Sequence, residues 1–134
     1  MKIALIYTGL AHWGFNSFYK YYSDTFNYID TFMPPLGLCY LGASLKKNGN
    51  EVYYIDLRYL KNWAEFNRKI QILAPEIAGI SFQTPNTKFA VQAAKLIKKV
   101  LNIPVVAGGI HSSILPEKTY NFGCFDYVFV GEAE

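Results

Sequence analysis

The residues best equipped for chemistry stand together in "VVAGGIHSSILPE", Val105 to Glu117. An apolar run ends in Gly108 and Gly109, and His111 and two serines follow. Glycines at the end of a buried strand weaken it unless something must approach the backbone there. Without a Cβ they open backbone N–H groups toward a ligand, as glycine-rich turns do for phosphates. A tight turn needing positive φ is the competing explanation, and it typically requires one glycine rather than two. His111 has the chemistry of a ligand, a base or a satisfied structural histidine. No second histidine or carboxylate stands at metal-ligand spacing, which favours the structural role, and the sequence names no catalytic or metal-binding residue.

Two further segments carry polar groups of the same kind. In "GISFQTPN", Ser81, Gln83 and Thr84 offer two hydroxyls and an amide at the end of an apolar run. Capping of a following helix by Thr84 or Asn86 would account for one residue of that set, not for all of it. In "IYTG", Thr8 and Gly9 open a long connection that reaches Pro35 and is packed with aromatics, "HWGFNSFYKYYSDTFNYIDTF". A connection of this length is expected to be functional, as a lid over a large flat ligand, or to hold a short extra helix at "FYKYYSDTF". It ends in "MPPLGLCYLG", where Pro35 suits a first helical turn. Leu36 and Gly37 follow, and Gly37 and Gly42 allow close approach by a ligand or by a neighbouring strand.

The elements that must position these residues alternate. Short β-rich runs occupy residues 2–7, 51–56, 76–82, 103–108 and 126–131. Between them, Leu38, Leu41 and Leu45, then Trp63, Phe66, Ile70 and Leu73, then Phe89, Ala93, Leu96, Ile97 and Val100 recur at helical spacing. Gly49 and Pro75 close the first two helices. The fourth crossover is short, and "LPEKTYNF" has room for one or two helical turns. Near-continuous apolar strands imply burial on both faces. The expected fold is α/β: a Rossmann-like, flavodoxin-like, doubly wound five-stranded parallel sheet flanked by helices, one domain over residues 1–134. Ligands of such folds sit outside the carboxyl ends of the strands, where the segments singled out above all fall. The chain closes "DYVFVGEAE" directly after the last strand, so a longer protein with a further covering helix is expected.

Composition narrows the function. The 134 residues carry 51% hydrophobic and 17% charged residues, as a globular chain does. A net charge of +3, scattered as "LKK" and "LIKK", argues against nucleic acid. No apolar run has the length of a membrane span, and the amino terminus turns polar too soon for a signal peptide, so a cytoplasmic protein is expected. Cys39 and Cys124 follow no metal spacing and are expected to be reduced and buried.

The strand-end segments taken together resemble the cobalamin-binding domain of cobalamin-dependent radical SAM enzymes. The resemblance rests on "PPLGLCYLGASLKKNGNEVYYIDL", "PEIAGISFQT", "PVVAGGIHSSILPE" and "DYVFVGEAE", in family order from Pro34 to Glu134. It implies that cobalamin lies over the strand ends, its nucleotide tail entering near Ser81 and Gly108–Gly109. The corrin ring would meet the first long loop with Thr8 and Gly9, "PPLG" with Pro35, Leu36 and Gly37, and "SFQT" with Gln83 and Thr84. His111 belongs to the same turn, and Gly131 and Glu132 mark the exit toward a carboxyl-terminal radical SAM domain of the same chain. That domain would bring a 4Fe-4S cluster and S-adenosylmethionine. Cobalt would then relay a methyl group to an unidentified small-molecule substrate, making the whole protein a methyltransferase. The cluster motif Cys-x-x-x-Cys-x-x-Cys is not in this sequence. Nor is the Asp-x-His-x-x-Gly loop of other cobalamin modules: His12 has Leu10 where Asp would stand and Phe15 where Gly would stand. The resemblance therefore implies base-off binding without a histidine on cobalt, and leaves open whether His12, Tyr7 or a loop aromatic approaches the metal.

Two other readings compete. A degenerate docking domain would keep the fold, its crevice filled by Phe, Tyr or Trp side chains. A flavodoxin-type FMN protein fits "YTG", but its phosphate loop would be rich in Ser and Thr where residues 10–15 are apolar and aromatic. A phospho-acceptor receiver is excluded by the missing acidic pair after strand 1 and by Ser81 in place of Asp.

Overall fold

The computed structural model describes residues 1–9 and 34–133. The aromatic connection, with its expected lid or short helix and His12, lies outside the described residues.

Five parallel strands form one sheet in the order β2-β1-β3-β4-β5. They are β1 (Lys2–Tyr7), β2 (Glu51–Asp56), β3 (Ile77–Ser81), β4 (Val105–Gly108) and β5 (Tyr127–Val128). The helices are α1 (Leu36–Lys47), α2 (Trp63–Leu73), α3 (Thr87–Val100), α4 (Ile110–Ile114) and α5 (Pro116–Tyr120). This is the flavodoxin-like winding read from the alternation of apolar runs and helical patterns.

Side chains alternate across a strand, so each strand feeds two layers. On one face Ala4 and Ile6, Ala78 and Ile80, and Val105 and Ala107 pack against α2 and α3 through Phe66, Ile70, Ala93 and Ile97. The small alanines let α3 lie close to the sheet. On the other face Ile3, Leu5 and Tyr7 pack with Val52 against Leu38, Leu41 and Leu45 of α1. Gly42 is the close-packing glycine of α1: a Cβ there would overlap the Tyr54 hydroxyl of β2.

Several expectations need correction. Burial on both faces is incomplete: Tyr127, Phe129 and Val130 are exposed, and α1 covers only the β1–β2 side of its face among the described residues. β5 forms over two residues rather than six, and pairs with β4 only at Tyr127 and Val128. The fourth crossover holds two short helices, separated at Leu115 because a residue before proline avoids helical geometry. Neither Thr84 nor Asn86 caps α3 by a side-chain hydrogen bond; instead the Thr87 hydroxyl donates to the Thr84 carbonyl at 2.8 Å. Cys39 is exposed, while Cys124 is buried, and burial pushes its thiol pKa up, leaving it protonated.

Candidate functional site

Winding reverses between β1 and β3, and the carboxyl ends of both strands meet there. A cavity of about 740 Å³ lies along the sheet face that carries α1. Its floor is every second residue of three strands: Ile3, Leu5 and Tyr7; Ile77, Gly79 and Ser81; Val106 and Gly108. Leu38, Leu41 and Leu45 of α1 form one wall, and Ile110 and Ile114 of α4 rim the other. From Ile3 to Tyr7 the trough runs about 13 Å at ~3.3 Å per residue. The sequence-predicted Pro35, Leu36, Gly37, Ser81, Gln83, Gly108, Gly109, Gly131 and Glu132 all line it.

The adjacent glycines do different work. A Cβ on Gly108 would meet no atom of the described residues within 4 Å, so the residue leaves space in the trough that none of them fills. Gly109 has φ +92° and ψ −174°, a conformation essentially confined to glycine. A Cβ on it would sit 2.8 Å from the Phe82 carbonyl oxygen, 2.9 Å from the Phe82 nitrogen and 2.9 Å from Ser81 Oγ. Gly109 is therefore required by the turn itself. An alanine there would disturb the turn itself.

The turn is fastened by a hydroxyl chain. Ser113 Oγ donates to the Gly109 carbonyl at 3.1 Å and accepts the Gly131 N–H at 3.0 Å, tying the turn after β4 to the segment after β5. Ser112 Oγ donates to the Gly108 carbonyl at 3.3 Å. Thr8 lies just behind the trough, where its hydroxyl donates to the Ser81 carbonyl at 3.3 Å and joins the ends of β1 and β3.

His111 faces away from the trough. Its ring lies between Phe82, at 5.3 Å between centroids, and Phe122, at 6.2 Å, and its Nδ1 pairs with Thr84 Oγ1 at 3.0 Å. Nε2 is buried without a hydrogen-bond partner among the described residues. Burial, seconded by the charge of Lys118, holds the imidazole below its usual pKa, hence neutral at pH 7. His111 and Thr84 thus act as a brace beneath the turn, away from the open side. Neither they nor Thr8 and Gly9 line the cavity.

Sequence reasoning passed over several residues. Gly79, mid-strand in "EIAGISF", forms part of the floor, and an isolated glycine inside a strand pattern is the signal that marks it. Ile110, Ser113 and Ile114 share one face at helical spacing, which legibly assigns His111 to the opposite face. Arg58, in the turn after β2, is buried; its guanidinium pairs with Asp56 at 2.7 Å and stacks 4.8 Å over the Tyr7 ring. Burial opposes that charge, but the hydrogen bond and charge of Asp56 outweigh it, and the arginine pKa is raised. The pair fixes the ring at the mouth of the trough. Among the described residues no group of three His, Cys, Asp or Glu side chains is arranged to hold a metal ion. No helix among them is long and apolar enough to cross a membrane.

Comparison with known proteins agrees with this geometry. A family model described as B12 binding domain matches residues 23–134. An uncharacterized methyltransferase of Pyrococcus horikoshii is 36% identical over 109 residues, which cover 79% of this chain and 24% of that protein. The chain thus spans about a quarter of that relative's length. The receiver domain of NtrC4 from Aquifex aeolicus superposes with a TM-score of 0.53 at 15% identity, covering 98% of this chain and 84% of that one; the likeness is one of fold.

Proposed function

Because this chain belongs to the B12-binding domain family, we propose that it holds cobalamin base-off along the trough, as the cofactor domain of a cobalamin-dependent radical SAM methyltransferase. The observation that carries this reading is the unused space over Gly108. Strand glycines cost stability, and one whose Cβ would touch none of the described residues makes sense where a ligand fills the gap. The trough is the right kind of cradle for a nucleotide tail: long, aliphatic, and floored by Gly79, Ser81 and Gly108.

When bound, cobalamin supplies a cobalt centre able to carry a methyl group, and the chain supplies its setting. Ser81 Oγ and Gln83 present polar groups at the mouth of the trough, and α1 with β1 and β3 keeps the interior dry. Tyr7, backed by Arg58, stands at the same mouth. His111 is turned into the core and engaged with Thr84, which supports binding without that histidine on cobalt.

The methyl-transfer role draws on the name of the Pyrococcus relative. The radical SAM association draws on the sequence resemblance and carries with it a 4Fe-4S cluster, S-adenosylmethionine and a partner domain in the same chain. An exposed apolar rim at Ile110, Ile114, Phe129 and Val130, beside Gly131 and Glu132, offers a surface on which such a domain would rest.

The test is direct. The purified chain is mixed with hydroxocobalamin, desalted, and scanned in the visible region. Co-eluting corrin absorbance near one equivalent, with the spectrum of a displaced lower base, is expected. A colourless protein refutes cobalamin binding; a base-on spectrum refutes the mode.

A further inference from the structure

Resting on the reading above, we infer that the trough selects corrinoids by the polarity of their lower base, accepting an apolar benzimidazole and disfavouring a purine. The deep part of the trough is Ile3, Leu5, Leu45, Ile77, Gly79 and Val106, none of which offers a side-chain hydrogen bond. The backbone beneath it is equally closed. β1 pairs with β3 from Ile3–Ile77 to Tyr7–Ser81, and β3 with β4 from Ala78–Val105 to Ser81–Gly108, so the ladder already uses the peptide groups of the floor.

Among the described residues, polar side chains of the trough lie toward its mouth. Of these, Ser113 Oγ is committed to the Gly109 carbonyl and the Gly131 N–H. Ser81 and Gln83 lie at or just past the end of β3, one strand repeat or more above Gly79. A flat base entering past them would therefore meet aliphatic groups on both broad sides and paired backbone below.

Benzimidazole suits that environment, because its edge carries carbon substituents. Adenine brings an exocyclic amine and additional ring nitrogens, and each one buried without a partner forfeits its hydrogen bonds to water. Apolar pockets discriminate against such polar analogues by roughly 10- to 100-fold, and a trough open along one side belongs in that range rather than beyond it.

The experiment compares three corrinoids with the same chain: cobalamin, its analogue with adenine as the lower base, and cobinamide, which has no nucleotide tail. Binding is read from the visible spectrum and from dissociation constants by titration. The inference expects cobalamin to bind roughly 10- to 100-fold more tightly than the adenine analogue. Cobinamide should be weaker than cobalamin as well, and a Leu41→Gln variant should narrow the gap between the two complete corrinoids. Equal affinity for cobalamin and its adenine analogue overturns the inference while leaving cobalamin binding intact. Cobinamide binding as tightly as cobalamin also overturns it, since the tail would then not occupy the trough. Failure of all three to bind refutes the cobalamin reading and the inference with it.

Discussion

Replacing Gly109 by alanine separates the turn's own requirement from the ligand's. The backbone there has φ +92° and ψ −174°, and holding an L residue in that region costs about 1–3 kcal/mol. The added Cβ would lie 2.8 and 2.9 Å from backbone atoms of Phe82, which cannot swing aside as a flexible side chain would. Overpacking of this kind adds about 1–3 kcal/mol. The sum, about 2–6 kcal/mol, corresponds to a fall in Tm of roughly 7–21 °C for a domain of this size. The assay is thermal unfolding followed by circular dichroism, with Gly108→Ala as control. At Gly108 the new methyl meets no atom of the described residues within 4 Å and replaces a strand glycine, so stability should hold or rise by up to about 1 kcal/mol. A Gly109→Ala protein melting within about 2 °C of the parent would refute the strain argument, as would a Gly108→Ala protein that loses more stability than Gly109→Ala.

Other outcomes follow from the geometry around the trough. His111 titrates below its ordinary pKa of 6.5 when folded, so the unfolded chain takes up its proton first and stability falls as the pH drops below about 6.5. In His111→Phe, which keeps the stacking with Phe82 and Phe122, unfolding free energy by urea titration should vary less between pH 7 and 5 than in the parent; an unchanged profile would contradict the neutral buried imidazole. Asp56→Ala leaves the buried Arg58 without its carboxylate and should cost about 3–5 kcal/mol in denaturant unfolding, whereas a loss below about 1 kcal/mol would show the pair to be incidental.

The fold was readable because its cues were redundant. Leu38, Leu41 and Leu45 mark one helical face, Gly49 and Pro75 end helices, and the apolar runs at 2–7 and 51–56 become strands with those bounds. β5 was overread because its residues have strand character, while only Tyr127 and Val128 enter the ladder with β4. At the site, sequence located the right strand ends but not the direction of their side chains. His111 drew notice by its chemistry, yet α4 is one short helix in which Ile110, Ser113 and Ile114 take the trough and His111 takes the core. The two glycines looked alike in sequence; their roles part only once Gly109 is seen in a left-handed conformation against Phe82 and Gly108 beside empty space. Arg58 was missed because its role depends on Asp56 and Tyr7, which belong to different strands.

The central claim is that the space over Gly108 belongs to cobalamin. Titrating hydroxocobalamin into the parent chain and into Gly108→Val tests it most directly, with Tm measured on both unliganded proteins. The account predicts an unliganded melting temperature no lower than the parent's and at least a tenfold loss of affinity, because the added side chain enters cofactor space and its Cβ meets no atom of the described residues within 4 Å. Undiminished affinity in a stable Gly108→Val protein would place the cofactor elsewhere and contradict the account.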